Sequence, residues 1–143
     1  MKVLVDADAC PRTVLNSIKE LQEKYSFSLI TVASFNHNIS GTGHIVVGDE
    51  FQAADMTIVN LTSKGDIVVT ADFGLASLVL GKEAKAISPS GRIYNNEQID
   101  LMLEERHVKE KIRRSGGRTK GPSARTKNED ENFRNSFLKI LQY

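Results

Sequence analysis

The chain has one cysteine, three prolines and no tryptophan among its 143 residues. A lone cysteine cannot form an intrachain disulfide, which excludes the small disulfide-stapled folds and favours a reducing compartment. Only three apolar residues precede Asp6, far fewer than the apolar core of a signal peptide needs, and no later run is long enough to span a membrane. We therefore expect a cytoplasmic protein. The chain also lacks any internal repeat.

The overall composition is that of an ordinary globular protein, with 40% hydrophobic and 26% charged residues. The length is enough for one domain with its own core and too short for two ordinary domains. The net charge of +1 conceals an asymmetry. Residues 1–105 carry 8 basic and 14 acidic residues, whereas residues 106–127 carry 9 basic and 1 acidic. An acidic body is thus followed by a basic segment.

Short, β-branched apolar runs alternate with segments of helical spacing. The apolar runs predict strands at residues 3–5, 29–33, 45–47, 67–70 and 84–87. The helical spacing predicts helices at residues 11–24, 51–63, 75–80, 96–114 and 129–141, with Gly65 ending the second and Gly81 the third. Continuously apolar strands separated by helices are typical of parallel sheets covered on both faces. We expect a three-layer α/β/α fold with a mostly parallel, roughly five-stranded sheet.

The domain organisation follows from the same pattern. Residues 1–114 are expected to form the α/β domain. Residues 115–128 are rich in Gly, Ser and basic residues without apolar periodicity, which predicts a flexible basic linker. Residues 129–143 are expected to form a C-terminal helix that packs on the same domain through one apolar face.

Acidic residues follow several of the predicted strands. Asp6 ends the first strand and Asp8 lies two residues beyond it, while Asp72 follows the fourth strand. Asp49 and Glu50 follow the third strand, and Asp55 lies early in the helix after it. Ligands of parallel α/β sheets bind outside the carboxyl ends of the strands, so we expect these carboxylates to converge there. Each is equally compatible with a helix-capping role, because Asp satisfies free backbone N–H groups.

Converging carboxylates repel one another unless a proton or a cation neutralises them. Sites made only of oxygen ligands suit Mg²⁺ or Mn²⁺, which keep several waters. Such an ion can activate water and offset the charge on a phosphate. The pattern therefore favours hydrolysis of a phosphodiester or a phosphomonoester.

Several motifs resemble those of the YaiI/YqxD family of bacterial proteins, which has a PIN-like fold. They begin with Val5-Asp6-Ala7-Asp8-Ala9-Cys10-Pro11 and continue through Gly48-Asp49 and Ala53-Ala54-Asp55. The most specific is Gly65-Asp66-Ile67-Val68-Val69-Thr70-Ala71-Asp72, followed by Leu75-Ala76. Gly91-Arg92-Ile93-Tyr94, Ile112-Arg113-Arg114-Ser115-Gly116-Gly117 and Gly121-Pro122 extend the resemblance over nearly the whole chain.

The resemblance implies a metal-dependent ribonuclease of the PIN type. It places Asp6, Asp55 and Asp72 as ligands of Mg²⁺ or Mn²⁺, and Asp8 as a further catalytic residue. PIN nucleases usually carry another acid just beyond the position of Asp72, where this chain has Phe73 and Gly74. Asp8 is the residue that would substitute for that acid.

Two other functions fit the same residues. An apolar strand followed by Asp-x-Asp is the hallmark of haloacid-dehalogenase-type phosphatases, with Asp6 as nucleophile and Asp8 as general acid. That pattern usually has Thr or Val at the position of Cys10 and a pair of acids after a later strand. This chain has Cys10 and only Asp72 at those places. The absence of an acid at Phe73 and Gly74 also fits a non-catalytic nucleic-acid-binding module with a PIN-like scaffold.

The basic segment is the predicted contact with nucleic acid. Its candidate phosphate-binding residues are Arg113, Arg114, Arg118 and Lys120. No aromatic residue interrupts the segment, so base stacking is not expected there. The predicted partner is single-stranded RNA or another nucleic acid, and the alternative is a solvated helix face with a linker.

Three further residues have reactive side chains, namely Cys10, His37 and His44. Cys10 lies at a predicted helix N-terminus, which lowers thiol pKa, but a buried packing role is the favoured interpretation. His37 and His44 lack further ligands at the short spacing of a zinc site, so we interpret both as polar loop residues.

Overall fold

The computed structural model describes residues 1–34, 43–48, 50, 52–97, 99–100 and 125–142. Five parallel strands form one sheet in the order β3-β2-β1-β4-β5. The strands are β1 (Lys2–Asp6), β2 (Ser28–Ala33), β3 (His44–Val46), β4 (Ile67–Val69) and β5 (Lys85–Ile87). The prediction of an α/β fold with a five-stranded sheet is confirmed, and the sheet is parallel throughout.

Helices lie between β1 and β2, between β3 and β4 and between β4 and β5, and helices cover both faces of the sheet. They are α1 (Arg12–Tyr25), α2 (Ala53–Leu61), α3 (Phe73–Gly81) and α4 (Lys127–Leu141), with a single 3₁₀ turn at Ala7–Ala9. The predicted helix at residues 96–114 falls mostly outside the described residues. None of the helices in the described ranges is long and apolar enough to cross a membrane.

Both faces of the sheet are buried, and successive residues of each strand point to opposite faces. Val3 and Val5 of β1 point to a core formed with α1 and α4, whereas Leu4 points to a core formed with α2 and α3. All three residues are fully buried. This two-sided burial explains why the strands read as continuous apolar runs rather than as an alternating pattern.

Helix α4 completes the core on the α1 side of the sheet. Its Phe133 and Phe137 are fully buried, and their rings stack with centroids 5.3 Å apart. Phe27, which precedes β2, meets Phe137 edge-on at 6.0 Å. Three aromatic rings from two distant parts of the chain therefore form one contact group, an arrangement that adds to simple area burial.

Two helices begin earlier than predicted because polar residues cap them. Helix α3 begins at Phe73, since Oδ1 of Asp72 accepts hydrogen bonds from the N–H groups of Gly74 and Leu75. Helix α4 begins at Lys127, inside the predicted linker, since Oγ1 of Thr126 accepts from the N–H of Glu129. Both are conventional N-caps, which sequence periodicity alone does not locate.

Of the two glycines predicted to end helices, Gly81 does so and Gly65 does not. Helix α2 ends at Leu61, where the hydroxyl of Thr62 donates to the carbonyl of Ile58, and Gly65 lies in the following turn with φ +85°. Gly65 therefore serves the turn into β4, for which a left-handed conformation is required. Gly81 is the last residue of α3, and Lys82 follows as its C-cap.

Candidate active site

The candidate site lies at the carboxyl edge of the sheet, between its two central strands. The chain leaves β1 towards β2 and β3 on one side, and leaves β4 towards β5 on the other. The gap between β1 and β4 is thus the topological switch point, where parallel α/β sheets bind ligands. Asp6 ends β1, and Thr70 and Asp72 follow β4.

Thr70 links the two strand-end aspartates. Its hydroxyl donates to Oδ2 of Asp6 at 3.2 Å and accepts from the N–H of Asp72 at 2.7 Å. Asp6 and Thr70 are buried, whereas Asp72 is exposed. The carboxylate of Asp72 is fixed in turn by its capping bonds to α3. The structure therefore joins Asp6 and Asp72, as predicted, through a residue to which sequence analysis gave no role.

The electrostatics of Asp6 differ from those of an ordinary carboxylate. Burial raises the pKa of Asp6 from 3.8 to about 6, against the opposing effect of the Thr70 hydrogen bond. The negative charges of Asp55, Asp8 and Asp72 raise it further. Like charges that interact in this way lie near one another, so the four predicted acids share one electrostatic environment.

Asp55 occupies the first turn of α2 and is half-buried. Burial raises the pKa of Asp55, and the charge of Asp72 adds to the increase. The charge of Asp55 also raises the pKa of Asp6, and helix α2 contacts both β1 and α3. A shared role of Asp55 with Asp6 and Asp72 stays a prediction.

Asp8 differs from the other three acids in its contacts. It lies exposed in the 3₁₀ turn, and both of its carboxylate oxygens accept from the N–H of Ser34, at 3.0 and 2.8 Å. The side chain thereby ties the turn after β1 to the end of β2. An acid that accepts a backbone N–H with both oxygens is poorly suited to donate a proton, which disfavours the phosphatase role of general acid.

The acidic group is a candidate site for a divalent cation. Every donor is a carboxylate oxygen, which suits Mg²⁺ or Mn²⁺. Burial is the main cause of the raised pKa of Asp6, and a cation would offset the neighbouring negative charges that add to it. Within the described part of the chain, no three His, Cys, Asp or Glu side chains lie close enough together to hold an ion. Because Mg²⁺ is often bound through only one or two protein carboxylates with waters, the set fits a site of that open kind.

Some predicted residues cannot be placed. Asp49, Arg113, Arg114, Arg118, Lys120 and His37 lie outside the described residues. Glu50 is exposed. Phe73 and Gly74, which stand where PIN nucleases carry a further acid, form the first turn of α3.

Two residues at this edge were not identified as functional from the sequence. Tyr94 is buried, and its hydroxyl donates to the carbonyl of Thr70 at 3.1 Å. Burial raises the pKa of Tyr94, Arg92 opposes the increase, and Asp72 adds to it. Tyr94 therefore contacts Thr70, the residue that links Asp6 to Asp72, and Arg92 precedes Tyr94 by two residues. The only sequence signal was their place in the Gly91-Arg92-Ile93-Tyr94 motif.

Cys10 and His44 take part in packing contacts rather than in an evident reactive pair. Burial raises the pKa of the Cys10 thiol to about 12, although the positive charge of Arg125 opposes the shift. A thiol with so high a pKa is a poor nucleophile. His44 lies on β3, and its Nδ1 is 2.6 Å from the hydroxyl of Thr31.

Comparison with known proteins gives a consistent family assignment. The model of the family described as "Uncharacterized BCR, YaiI/YqxD family" matches residues 4–143. A UPF0178 protein of Heliobacterium modesticaldum is 49% identical over 142 residues, covering 99% of this chain and 97% of the relative. A UPF0178 protein of Exiguobacterium sibiricum is 44% identical over 141 residues, covering 99% and 96%. No solved structure gives a significant match.

Proposed function

This chain belongs to the YaiI/YqxD family of bacterial proteins, and on that premise we propose that it is a metal-dependent phosphodiesterase acting on single-stranded RNA. One observation supports the proposal above all. Asp6, Asp55 and Asp72 interact electrostatically at the switch point of a parallel sheet, and the pKa of Asp6 is raised to about 6. Charges left uncompensated at a binding edge are costly, and they are explained if a cation and substrate occupy it.

The residues have distinct roles in this proposal. Asp6 and Asp72, held in fixed relation by Thr70, would hold Mg²⁺ or Mn²⁺ together with waters, and Asp55 would add negative charge nearby. A bound cation of this type activates water and offsets charge on a phosphate group. Asp8 keeps the turn after β1 against the end of β2 and so positions Asp6.

The test is cleavage of a labelled single-stranded RNA by the purified protein with Mn²⁺, comparing the wild type with Asp6→Asn. The variant keeps the size of the side chain and an acceptor for Thr70, so the fold is expected to survive. We expect Asp6→Asn to lower the rate by about 100-fold or more, since the loss of a supporting ligand contact alone often costs 10- to 100-fold. Equal cleavage by both proteins would contradict the proposal.

A matched control is available on the far part of α1. Glu20 is an exposed carboxylate that pairs with Arg134 on α4, away from the switch point. Glu20→Gln removes one negative charge as Asp6→Asn does, and we expect it to cleave at the wild-type rate. Calorimetric titration with Mn²⁺ gives a second measurement that does not depend on activity, and binding is expected to weaken only in Asp6→Asn.

A second function has two specific observations in its favour. The described residues contain no ready group of three metal-ligating side chains, and Phe73 begins α3 where a further acid is usual in PIN nucleases. These features fit a PIN-like module that binds nucleic acid without cleaving it. Salt-dependent RNA binding together with no measurable Mn²⁺ affinity would favour this module over the phosphodiesterase.

A further inference from the structure

Arg92 is exposed and follows β5, in the turn at the carboxyl end of that strand. Residues 88–92 form a tight reversal that returns the chain along β5, where Ile93 pairs antiparallel with Ile87. The N–H of Ser88 donates to the carbonyl of Arg92 at 2.8 Å, and the N–H of Tyr94 donates to the carbonyl of Ala86 at 2.9 Å. Arg92 therefore starts a short extended segment on the outer side of β5.

The backbone of this reversal is fixed from several directions. The hydroxyl of Ser88 accepts from the N–H of Arg92 at 3.0 Å. Gly91, with φ +93°, lies so close to α4 that an added Cβ would come within 2.6 Å of the backbone of Asn132. The guanidinium of Arg125 donates to the carbonyl of Pro89 at 2.8 Å. The backbone at Arg92 is therefore fixed, which defines the point from which its exposed side chain extends.

The side chain of Arg92 shares a face with Tyr94. Residues two apart in an extended segment point to the same side, and Ile93 between them packs into the opposite core, with α1 and α4. Tyr94 packs into the α2–α3 core and reaches the carbonyl of Thr70. The positive charge of Arg92 acts on Tyr94 together with the negative charge of Asp72, which places both charges near the same hydroxyl.

Among the described residues, the guanidinium of Arg92 has no ion pair, whereas the side chains of Lys2, Arg125 and Arg134 each pair with an acid. A phosphate approaching Asp6, Asp55 and Asp72 meets negative charge, so a phosphate-binding edge needs a cation beside these acids.

We propose that the guanidinium of Arg92 binds a backbone phosphate of single-stranded nucleic acid at the β4–β5 side of the carboxyl edge. The planar guanidinium matches phosphate oxygens in a two-point contact, which an ammonium group does not reproduce. The proposal rests on the proposed function in one respect only, namely that this edge receives nucleic acid.

The test is binding of a fluorescent single-stranded oligoribonucleotide by fluorescence anisotropy, with EDTA present and at several salt concentrations. Arg92→Gln is expected to weaken binding about fivefold and to lower the slope of log affinity against log salt by about 0.7, the loss of one phosphate contact. Arg92→Lys is expected to recover part of the affinity. The melting temperature of both variants is expected to equal that of the wild type, because the side chain is exposed.

Arg134→Gln is the matched control. Arg134 is an exposed arginine whose only described partner is Glu20, and its loss removes the same charge far from the switch point. Unchanged affinity and slope in Arg134→Gln support the proposal. Equal losses in both variants, no loss in Arg92→Gln, or no binding by the wild type would overturn it. Displacement of the oligonucleotide by an equal concentration of inorganic phosphate would also overturn it, since it would indicate a site for free phosphate.

The same variants separate this proposal from the proposed function. Cleavage by the wild type with full binding by Arg92→Gln would leave the phosphodiesterase intact and reject the role of Arg92. Binding that depends on Arg92, without cleavage in Mn²⁺ or Mg²⁺, would keep the phosphate contact and reject the phosphodiesterase.

Discussion

Asp66 and Asp6 are both nearly buried, with 3% and 8% of their surface exposed, and they lie at opposite edges of the same sheet. Asp66 precedes β4 at the amino edge, whereas Asp6 ends β1 at the carboxyl edge. Burial raises the pKa of each. The net results are opposite, because the two carboxylates have different neighbours.

At the amino edge, the fold itself neutralises the charge. The Nζ of Lys2 lies 2.8 Å from Oδ2 of Asp66, and the N–H groups of Lys2 and Ser63 donate to the same carboxylate. Although burial raises the pKa of Asp66, these contacts outweigh burial and lower it below its usual value. The negative charge of Asp66 is thus neutralised by contacts within the folded protein.

At the carboxyl edge, the carboxylate of Asp6 accepts one hydrogen bond among the described residues, from the hydroxyl of Thr70. The charged residues that affect its pKa are Asp55, Asp8 and Asp72, and all three are acids. The pKa of Asp6 therefore rises. Asp66, the buried aspartate that pairs with a lysine, therefore stabilises the fold. Asp6, the buried aspartate surrounded by other acids, costs stability, and a function would explain that cost.

The largest predicted effect is at the amino edge. Asp66→Ala is expected to lower the free energy of unfolding by about 3 kcal/mol at neutral pH, because two backbone N–H groups and the Lys2 ammonium lose their acceptor. Urea denaturation measures the change. Lys64→Ala, at an exposed pair with Glu83, is the control and is expected to change stability by less than about 0.5 kcal/mol. Equal effects would show that Asp66 is not a structural charge.

The next effect has the opposite sign. A carboxyl with a raised pKa in the folded state contributes stability below its unfolded pKa of 3.8, and this is lost as pH rises through about 6. Asp6→Asn resembles the protonated form, so at about pH 8 it is expected to be more stable than the wild type by about 1–3 kcal/mol. The difference is expected to vanish below about pH 4. Urea denaturation across this range measures it, and a variant no more stable than the wild type at high pH would refute the comparison.

The smallest effect concerns the residue that joins Asp6 to Asp72. Thr70→Val keeps the shape of the buried side chain but removes its hydroxyl, leaving the N–H of Asp72 without that acceptor. Stability is expected to fall by about 1 kcal/mol. The pKa of Asp6 is expected to rise further, because its one opposing contact is lost. Carbon-13 titration of the Asp6 carboxyl by NMR measures the shift, and an unchanged titration would show that Thr70 does not control Asp6.

The fold was largely predictable because the strands are buried on both faces. Continuous apolar runs such as residues 67–70 have few alternatives in a chain that alternates them with helices. The edge at which Asp6 and Asp72 meet followed from the parallel arrangement alone. Helix ends were less accurate, because the caps formed by Asp72 and Thr126 depend on backbone geometry rather than on periodicity.

The contacts of the site were less predictable than its location. The bond from Thr70 to Asp6 and the ion pair of Lys2 with Asp66 each join residues 64 positions apart, and neither follows from local spacing. The carboxylate of Asp8, which was predicted to act beside Asp6, accepts from the N–H of Ser34 at the end of β2, a contact that the sequence did not predict. Each of these contacts depends on which strands are neighbours, information that local sequence patterns do not contain.

The aromatic rings of α4 also bear on the order in which the chain folds. Phe133 and Phe137 fill the core beneath β1, although β1 is synthesised long before α4. While residues 1–100 are already available, the apolar face of β1 that α4 will cover remains open to solvent. A nascent chain of this kind is exposed to aggregation and to chaperone binding until the helix emerges. Final closure of the domain is therefore expected only after α4 has been synthesised.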